Sequence, residues 1–281
     1  MAEQQIISAD SRSLSEDCGF SYAQNTFSAV SLSGGKDSTA LLLLMIERGM
    51  PIDLVLYADT TMEFPEMYAH LQRVDDYLFR ERGLHITTLR HPHGFEWLMF
   101  DEPKQKQSSI ENRQRLGVST CGNGWPGIKV RWCTGQLKTH LITKETNRLK
   151  QEKNALHFVG IAADEAWHCK KDKSKRYPLV EWGITEADAL QICYDRGFDF
   201  GGLYEIYHRC SCWCCPFQRI GALRTLRTHH PELWARLLDK DRRALVQFGN
   251  TPLGTFHKNW TVRRLEERFA AEDAQAILTT T

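Results

Sequence analysis

The chain has 281 residues, and its 36 Lys/Arg against 35 Asp/Glu leave a formal net charge of +1, so no global basic field marks it as a polyanion binder. With 42% hydrophobic and 25% charged residues the composition excludes an intrinsically disordered chain. The longest apolar run, Ala40 to Ile46, falls far short of the ~20 residues that cross a bilayer, so a membrane-spanning helix is excluded.

Residues 1–25 read as a polar N-terminal arm with little periodicity. Met1 to Asp10 lack the basic-then-apolar order of a signal peptide, which predicts a cytoplasmic protein with reduced thiols. Phe27 to Leu32 reads as a core strand, and Ser38 to Arg48 as a helix stopped by Gly49 and Pro51. Between them stands Ser33-Gly34-Gly35-Lys36-Asp37-Ser38. The two glycines let the backbone turn sharply and bring N–H groups close to an anion. The helix start adds unpaired N–H donors and about half a positive charge. Ser33 and Ser38 offer hydroxyls, and Lys36 a point charge. Asp37 would repel phosphate, which makes sense if it faces Mg²⁺.

Asp53 to Ala58 reads as a second buried strand, ending in Asp59-Thr60-Thr61-Met62-Glu63-Phe64-Pro65-Glu66, with a helix from Met67 to Arg82. His85 to Arg90 alternates as a third strand, and Phe95 to Phe100 makes a short helix. Glu102 to Gly127 is polar and poorly periodic, as expected of a lid or substrate loop. A helix then opens at Arg131-Trp132-Cys133-Thr134 and continues through Leu137, Leu141 and Ile142. Leu156 to Ile161 is a fourth strand, and Thr185 and Asp188 mark the cap of a helix through Cys193. Strands separated by helices predict an α/β fold: an open, mainly parallel sheet flanked by helices, Rossmann-like. After Phe217 two or three helices follow, with Leu223, Leu226, Trp234, Leu237 and Leu238 as apolar anchors. The expected organisation is an arm over 1–25, an α/β domain over 26–217 and a helical C-terminal part over 218–281.

The segment from Lys129 to Arg176 holds twelve Lys/Arg against five acids, a local excess that suits either a polyanion partner or a solvated face. Nine cysteines in a reducing compartment need another account than disulfides. Cys210-Ser211-Cys212-Trp213-Cys214-Cys215-Pro216 packs four into six residues, and Cys212 and Cys215 have the two-residue gap that grips one metal or iron–sulfur centre.

The glycine turn resembles the PP-loop, S-G-G-x-D-S, of ATP pyrophosphatases, which split ATP between the α- and β-phosphates and transfer AMP to an oxygen. The stretch from Asp59 looks like the D-T-G-x-E-F-P-E-T signature of the phosphoadenosine phosphosulfate (PAPS) reductase branch, with Thr61 in place of glycine and Met67 of threonine. Arg131 to Lys138 resembles its R-W-C-T-x-x-L-K element. Gly160 to Glu165 resembles its G-I-R-x-x-E pattern, with Ala162 where arginine is usual; Arg176 is the candidate replacement. Tyr177 to Trp182 resembles its P-L-x-x-W stretch. The resemblance implies an adenine nucleotide alpha hydrolase-like fold and ATP with Mg²⁺ on Ser33, Gly34, Gly35, Lys36, Asp37, Ser38, Asp59, Gly160 and Glu165. It assigns Lys36, Asp37, Arg131 and Lys138 to catalysis.

Relatives bind a 4Fe-4S cluster through an upstream and a downstream cysteine group, and the proteins that install sulfur in the DNA backbone carry one too. By that resemblance Cys133 is the upstream ligand and Cys212 and Cys215 are downstream ligands. The fourth is open between Cys210, Cys214 and Cys121. Cys210 is preferred, because in an extended segment Cys214 and Cys215 point apart. Zinc on the same thiolates is the alternative.

Three functions compete: an ATP-dependent adenylating enzyme for sulfur transfer, a sulfonucleotide reductase, and a non-catalytic nucleotide-binding protein. The intact loop with Asp37, and the lack of a cysteine after Cys215 where such reductases carry E-C-G-x-H, favour the first. The expected partners are ATP, a nucleic-acid acceptor and a sulfur donor such as a cysteine desulfurase.

Overall fold

The computed structural model describes residues 26–128, 130–152, 154–257 and 260–280. The N-terminal arm with Cys18, and Lys129 and Lys153 of the basic segment, lie outside the described residues.

The elements run β1 (Thr26–Leu32), α1 (Lys36–Glu47), β2 (Leu54–Asp59), α2 (Pro65–Arg82), β3 (Ile86–Arg90), α3 (Gly94–Phe100) and α4 (Gln107–Arg115). There follow α5 (Trp132–Thr134), a π-helical turn (Gly135–Thr139), α6 (His140–Glu152), β4 (Asn154–Val159), a 3-10 turn (Ala163–His168) and β5 (Lys175–Arg176). The chain ends with α7 (Pro178–Glu181), α8 (Glu186–Asp195), a second 3-10 turn (Phe200–Gly202), α9 (Leu203–Ile206), α10 (Ile220–His229), α11 (Pro231–Phe248) and α12 (Val262–Thr280). Among the described residues no helix is long and apolar enough to cross a membrane.

The five strands form one open parallel sheet in the order β3-β2-β1-β4-β5. β1 pairs with β2 through Val30 and Val55 and with β4 through Val30 and Phe158. The strand order reverses between β1 and β4, and an open α/β sheet binds its ligand outside the carboxyl ends of the strands at such a point.

By internal packing the chain forms two compact units. The first comprises the described residues up to Tyr57 with Leu71–Thr87 and Glu145–Phe198. Its central element is α1, buried on every side except at Asp37 and Glu47. A helix apolar all round is a core helix; Leu41, Leu42, Leu43 and Met45 are fully buried, each such side chain being worth roughly 1.5–3 kcal/mol. α8 packs on α1 and starts from a complete capping box between Thr185 and Asp188.

The second unit comprises Ala58–His70, Thr88–Lys144 and Asp199–Thr281. Leu223, Leu226, Leu233, Trp234, Leu237, Ala244, Phe248, Leu265 and Phe269 of α10, α11 and α12 are buried. Arg224 and Arg227 of α10 tie Glu266, Glu272 and Asp273 of α12.

The expected loop from Glu102 to Gly127 contains α4, a correction with a plain cause. α4 buries only Arg113, so it has no apolar stripe to betray it. It is held by Arg113 donating to Ser119 O at 2.9 Å and Cys121 O at 3.3 Å. The helix expected from Arg131 is also interrupted by one π-helical turn, a feature frequent at functional sites.

Candidate active site

In the first unit the glycine loop closes on itself. Gly34 lies at φ 84°, the left-handed region that glycine enters without steric cost. Ser38 Oγ accepts from Ser33 N–H at 3.0 Å and donates to Gly35 O at 3.0 Å. The Ser38 hydroxyl is thus a strut of the loop.

Lys36 is nearly buried, and its Nζ lies 2.7 Å from Glu186 Oε2 and 3.5 Å from Asp37 Oδ2. Burial raises the Asp37 pKa although Lys36 pulls it down, and Glu186 and Glu165 raise it further. Asp37 Oδ1 is buried with no hydrogen-bond partner. A buried, unsatisfied carboxylate oxygen among acidic neighbours is a site that gains from a cation. Gly160, at the end of β4, completes the cradle: a Cβ there would lie 2.7 Å from Ser38 Cα and 2.8 Å from Asp37 O. Ala162 is fully buried, and Arg176, its candidate replacement, is exposed on edge strand β5.

In the second unit Asp59 ends β2 almost fully buried. Its Oδ1 accepts from Thr61 N–H at 2.7 Å and Tyr68 O–H at 2.9 Å, and its Oδ2 from Arg90 Nε at 2.8 Å and from Arg90 Nη2. Asp59 therefore organises its own loop and Arg90. Arg90 lines a cavity of about 340 Å³ with Thr61, His91, His93 and Arg236. Thr61, which stands where the signature has glycine, lies at φ 66°, a left-handed conformation that is strained for a β-branched residue.

Next to it a polar network converges on Glu63. Its Oε1 accepts from Thr60 Oγ1 at 3.0 Å and Cys212 Sγ at 3.4 Å, and lies 3.6 Å from Lys138 Nζ. Burial works against the Lys138 charge, but Glu63 and Cys212 outweigh it and the pKa rises. Lys138 sits in the π-helical turn. Arg131 stacks over Phe217, 5.0 Å from the ring centroid.

In this unit Cys133 acts electrostatically on Cys214 and Cys215, and Cys212 on Cys214. Burial is the main cause of their raised pKa values at Cys212, Cys214 and Cys215. The segment is a series of turns, Cys215 N–H donating to Cys212 O at 3.0 Å, so the extended geometry that would aim Cys214 away from Cys215 does not hold. Cys210 acts electrostatically on Tyr207, and the Cys121 carbonyl accepts from Arg113. All described cysteines are free thiols. Among the described residues no three His, Cys, Asp or Glu side chains stand in metal-holding geometry. The donor chemistry fits a thiolate-held centre all the same: several buried neutral thiols relieve their crowding when they ionise onto a cationic centre.

Sequence reasoning missed Glu186, Glu63, Thr60 and Arg90. Glu63 and Thr60 stood inside a quoted signature; Glu186 and Arg90 carried no spacing signal.

The profile of the phosphoadenosine phosphosulfate reductase domain matches residues 28–221, well over half of the chain. An uncharacterized protein of Methanocaldococcus jannaschii, MJ0066, is 25% identical over 227 residues, covering 74% of this chain and 40% of that protein. The chain therefore spans less than half the length of this curated relative. Among solved structures, the U34-tRNA thiolase NcsA from Methanococcus maripaludis with its 4Fe-4S cluster is similar at a TM-score of 0.35 and 12% identity, over 87% of this chain and 81% of that one.

Proposed function

The chain belongs to the phosphoadenosine phosphosulfate reductase domain family, and from that premise we propose that it is a PP-loop enzyme that cleaves ATP to AMP and pyrophosphate, adenylating an acceptor for sulfur transfer. The observation that carries this reading is Asp37. Its buried, unpartnered oxygen beside Lys36 suits a metal-bound triphosphate. A sulfonucleotide ligand has no triphosphate and no need of that carboxylate.

Backbone N–H groups at Gly34, Gly35 and the start of α1 bind the β- and γ-phosphates. Lys36 leaves Glu186 to neutralise them. Asp37, with Glu165 near it, would hold Mg²⁺, which supplies charge neutralisation on the pyrophosphate leaving group. Gly160 keeps the β4 loop tight against Ser38, so the N–H donors stay aimed at one place. An acceptor oxygen attacks the α-phosphorus; the O–P bond forms as the α–β bridge breaks, and the electron pair leaves with pyrophosphate. A sulfur nucleophile then displaces AMP. Lys138, held by Glu63, and Arg131 are proposed to position the acceptor's anionic groups.

Cys133, Cys212 and Cys215, with one of Cys210, Cys214 or Cys121, would hold a 4Fe-4S cluster, which supplies sulfur or electron chemistry when bound, or alternatively zinc, which would serve as a redox-inert structural centre. The acceptor is proposed to be nucleic acid and the donor a cysteine desulfurase, in a reducing cytoplasm.

The test is pyrophosphate release from Mg-ATP, with and without nucleic acid. Release that depends on Lys36 and Asp37 supports the reading. No release, together with thiol-dependent sulfite production from PAPS, replaces it with a sulfonucleotide reductase.

A further inference from the structure

The 3-10 turn Ala163–His168 belongs to the wall of the cradle. Its Glu165 adds negative charge around Asp37, and Asp164 Oδ1 accepts the Glu186 N–H at 3.0 Å. Two residues beyond Glu165, Trp167 is 74% exposed. His168 is exposed beside it, the ring centroids 5.5 Å apart.

The loop that follows is basic and has a fixed backbone. Lys170 N–H donates to Tyr177 Oη at 3.0 Å, Ser174 N–H and Oγ donate to Asp172 Oδ1 at 2.9 and 2.7 Å, and His157 N–H donates to Ser174 O at 2.8 Å. Lys175 is paired with Asp172 at 3.6 Å. Lys170, Lys171 and Lys173 are exposed and form no ion pair among the described residues. In the same segment Lys138 is engaged by Glu63 and Arg148 by Glu145.

We propose that Trp167, His168, Lys170, Lys171 and Lys173 form a docking surface for single-stranded nucleic acid, with a base stacked on Trp167 and phosphates along the lysines. This rests on the reading that the acceptor is nucleic acid, and it names where that acceptor is gripped. An exposed indole among unpaired cations matches an unstacked base on a phosphate backbone, because every base has a π-face and every link a negative charge. A duplex hides its base faces, so it gains only the charge term. The turn that carries Glu165 beside Asp37 also carries Trp167 on the surface, so a strand stacked on Trp167 lies along the turn that borders the cradle.

The experiment is fluorescence anisotropy of the full chain with a labelled mixed-sequence oligonucleotide of roughly 16 nucleotides, single-stranded or duplex, without ATP. Trp167→Ala weakens single-strand binding about tenfold, and Trp167→Phe stays within about threefold of wild type, because stacking survives. Lys170→Ala/Lys171→Ala/Lys173→Ala lowers the slope of log affinity against log salt by about 2. Unchanged binding in both alanine variants overturns the proposal. So does competition by polyglutamate as effective as that of an oligonucleotide of equal charge, which points to an acidic protein instead. Pyrophosphate release from ATP is measured on the same samples. Release with no oligonucleotide binding sinks the docking surface and leaves the ATP reading standing; binding without release does the reverse.

Discussion

Lys36 Nζ lies 2.7 Å from Glu186 Oε2, a pair formed across 150 residues of chain. It joins the start of α1 to the first turn of α8, whose capping box fixes where Glu186 stands. On the proposed function, a bound phosphate competes with Glu186 for the lysine. A partly exposed pair of this kind is worth up to about 1 kcal/mol, or roughly fivefold in binding. Glu186→Gln is therefore expected to lower the KM for Mg-ATP by about that factor at unchanged kcat. Lys36→Ala is expected to lose at least about a hundredfold in kcat/KM, as for loss of an electrostatic donor. Steady-state pyrophosphate release measures both.

Gly160 has no room for a side chain against Ser38 and Asp37, and both obstacles are backbone. Gly160→Ala is expected to shift the start of α1 and to cost more than about tenfold in kcat/KM. The far-UV circular dichroism spectrum should stay unchanged, since α1 is held by its own buried leucines.

Asp241 Oδ2 accepts from Val262 N–H at 2.9 Å and Arg263 N–H at 3.4 Å, at the start of α12. Burial pushes its carboxyl up to about 6, against the pull of those two N–H groups. The folded state then holds a proton that the unfolded chain has released, so stability falls as pH rises from about 4 to about 6 and stays lower above that. Urea unfolding of wild type against Asp241→Asn across pH 4 to 8 should show this downward slope only in the wild type.

Asp59 is almost fully buried and accepts from Thr61, Tyr68 and Arg90. Asp59→Ala removes the acceptor for all of them and is expected to cost about 3 kcal/mol of stability. Asp59→Asn keeps part of the network and should cost less. Denaturant midpoints compare the two.

Serine at Cys133, Cys212 or Cys215 is expected to reduce bound iron and acid-labile sulfide to under about a quarter of wild type after anaerobic purification, because a cluster needs every ligand it has. Serine at Cys169, which no other thiol among the described residues acts on, should leave both unchanged. Iron and sulfide assays with a visible spectrum decide it.

Local chemistry made much of this legible. S-G-G-x-D-S announced a tight strand-to-helix turn, because two glycines between an apolar strand and an apolar helix leave the backbone few other paths. The Thr185 and Asp188 cap was readable for the same reason: both partners lie within one turn. α4 was not readable, because it is held by Arg113 reaching carbonyls after the helix rather than by an apolar face. The role of Ser38 was also hidden, since a hydroxyl in such a loop can face a ligand or brace the turn.

By itself the sequence determined the alternation of strands and helices, the cradle and the concentration of thiols, all set by residues close in the chain. Only the tertiary structure decided which charges meet. Glu186 reached Lys36, Arg90 reached Asp59, and Lys138 and Cys212 reached Glu63 because packing brought distant segments together. It also folded the cysteine segment into turns, Cys215 N–H donating to Cys212 O, rather than leaving it extended. Such pairings depend on where the backbone turns in space, and a charge or a thiol carries no local periodicity that reveals its partner.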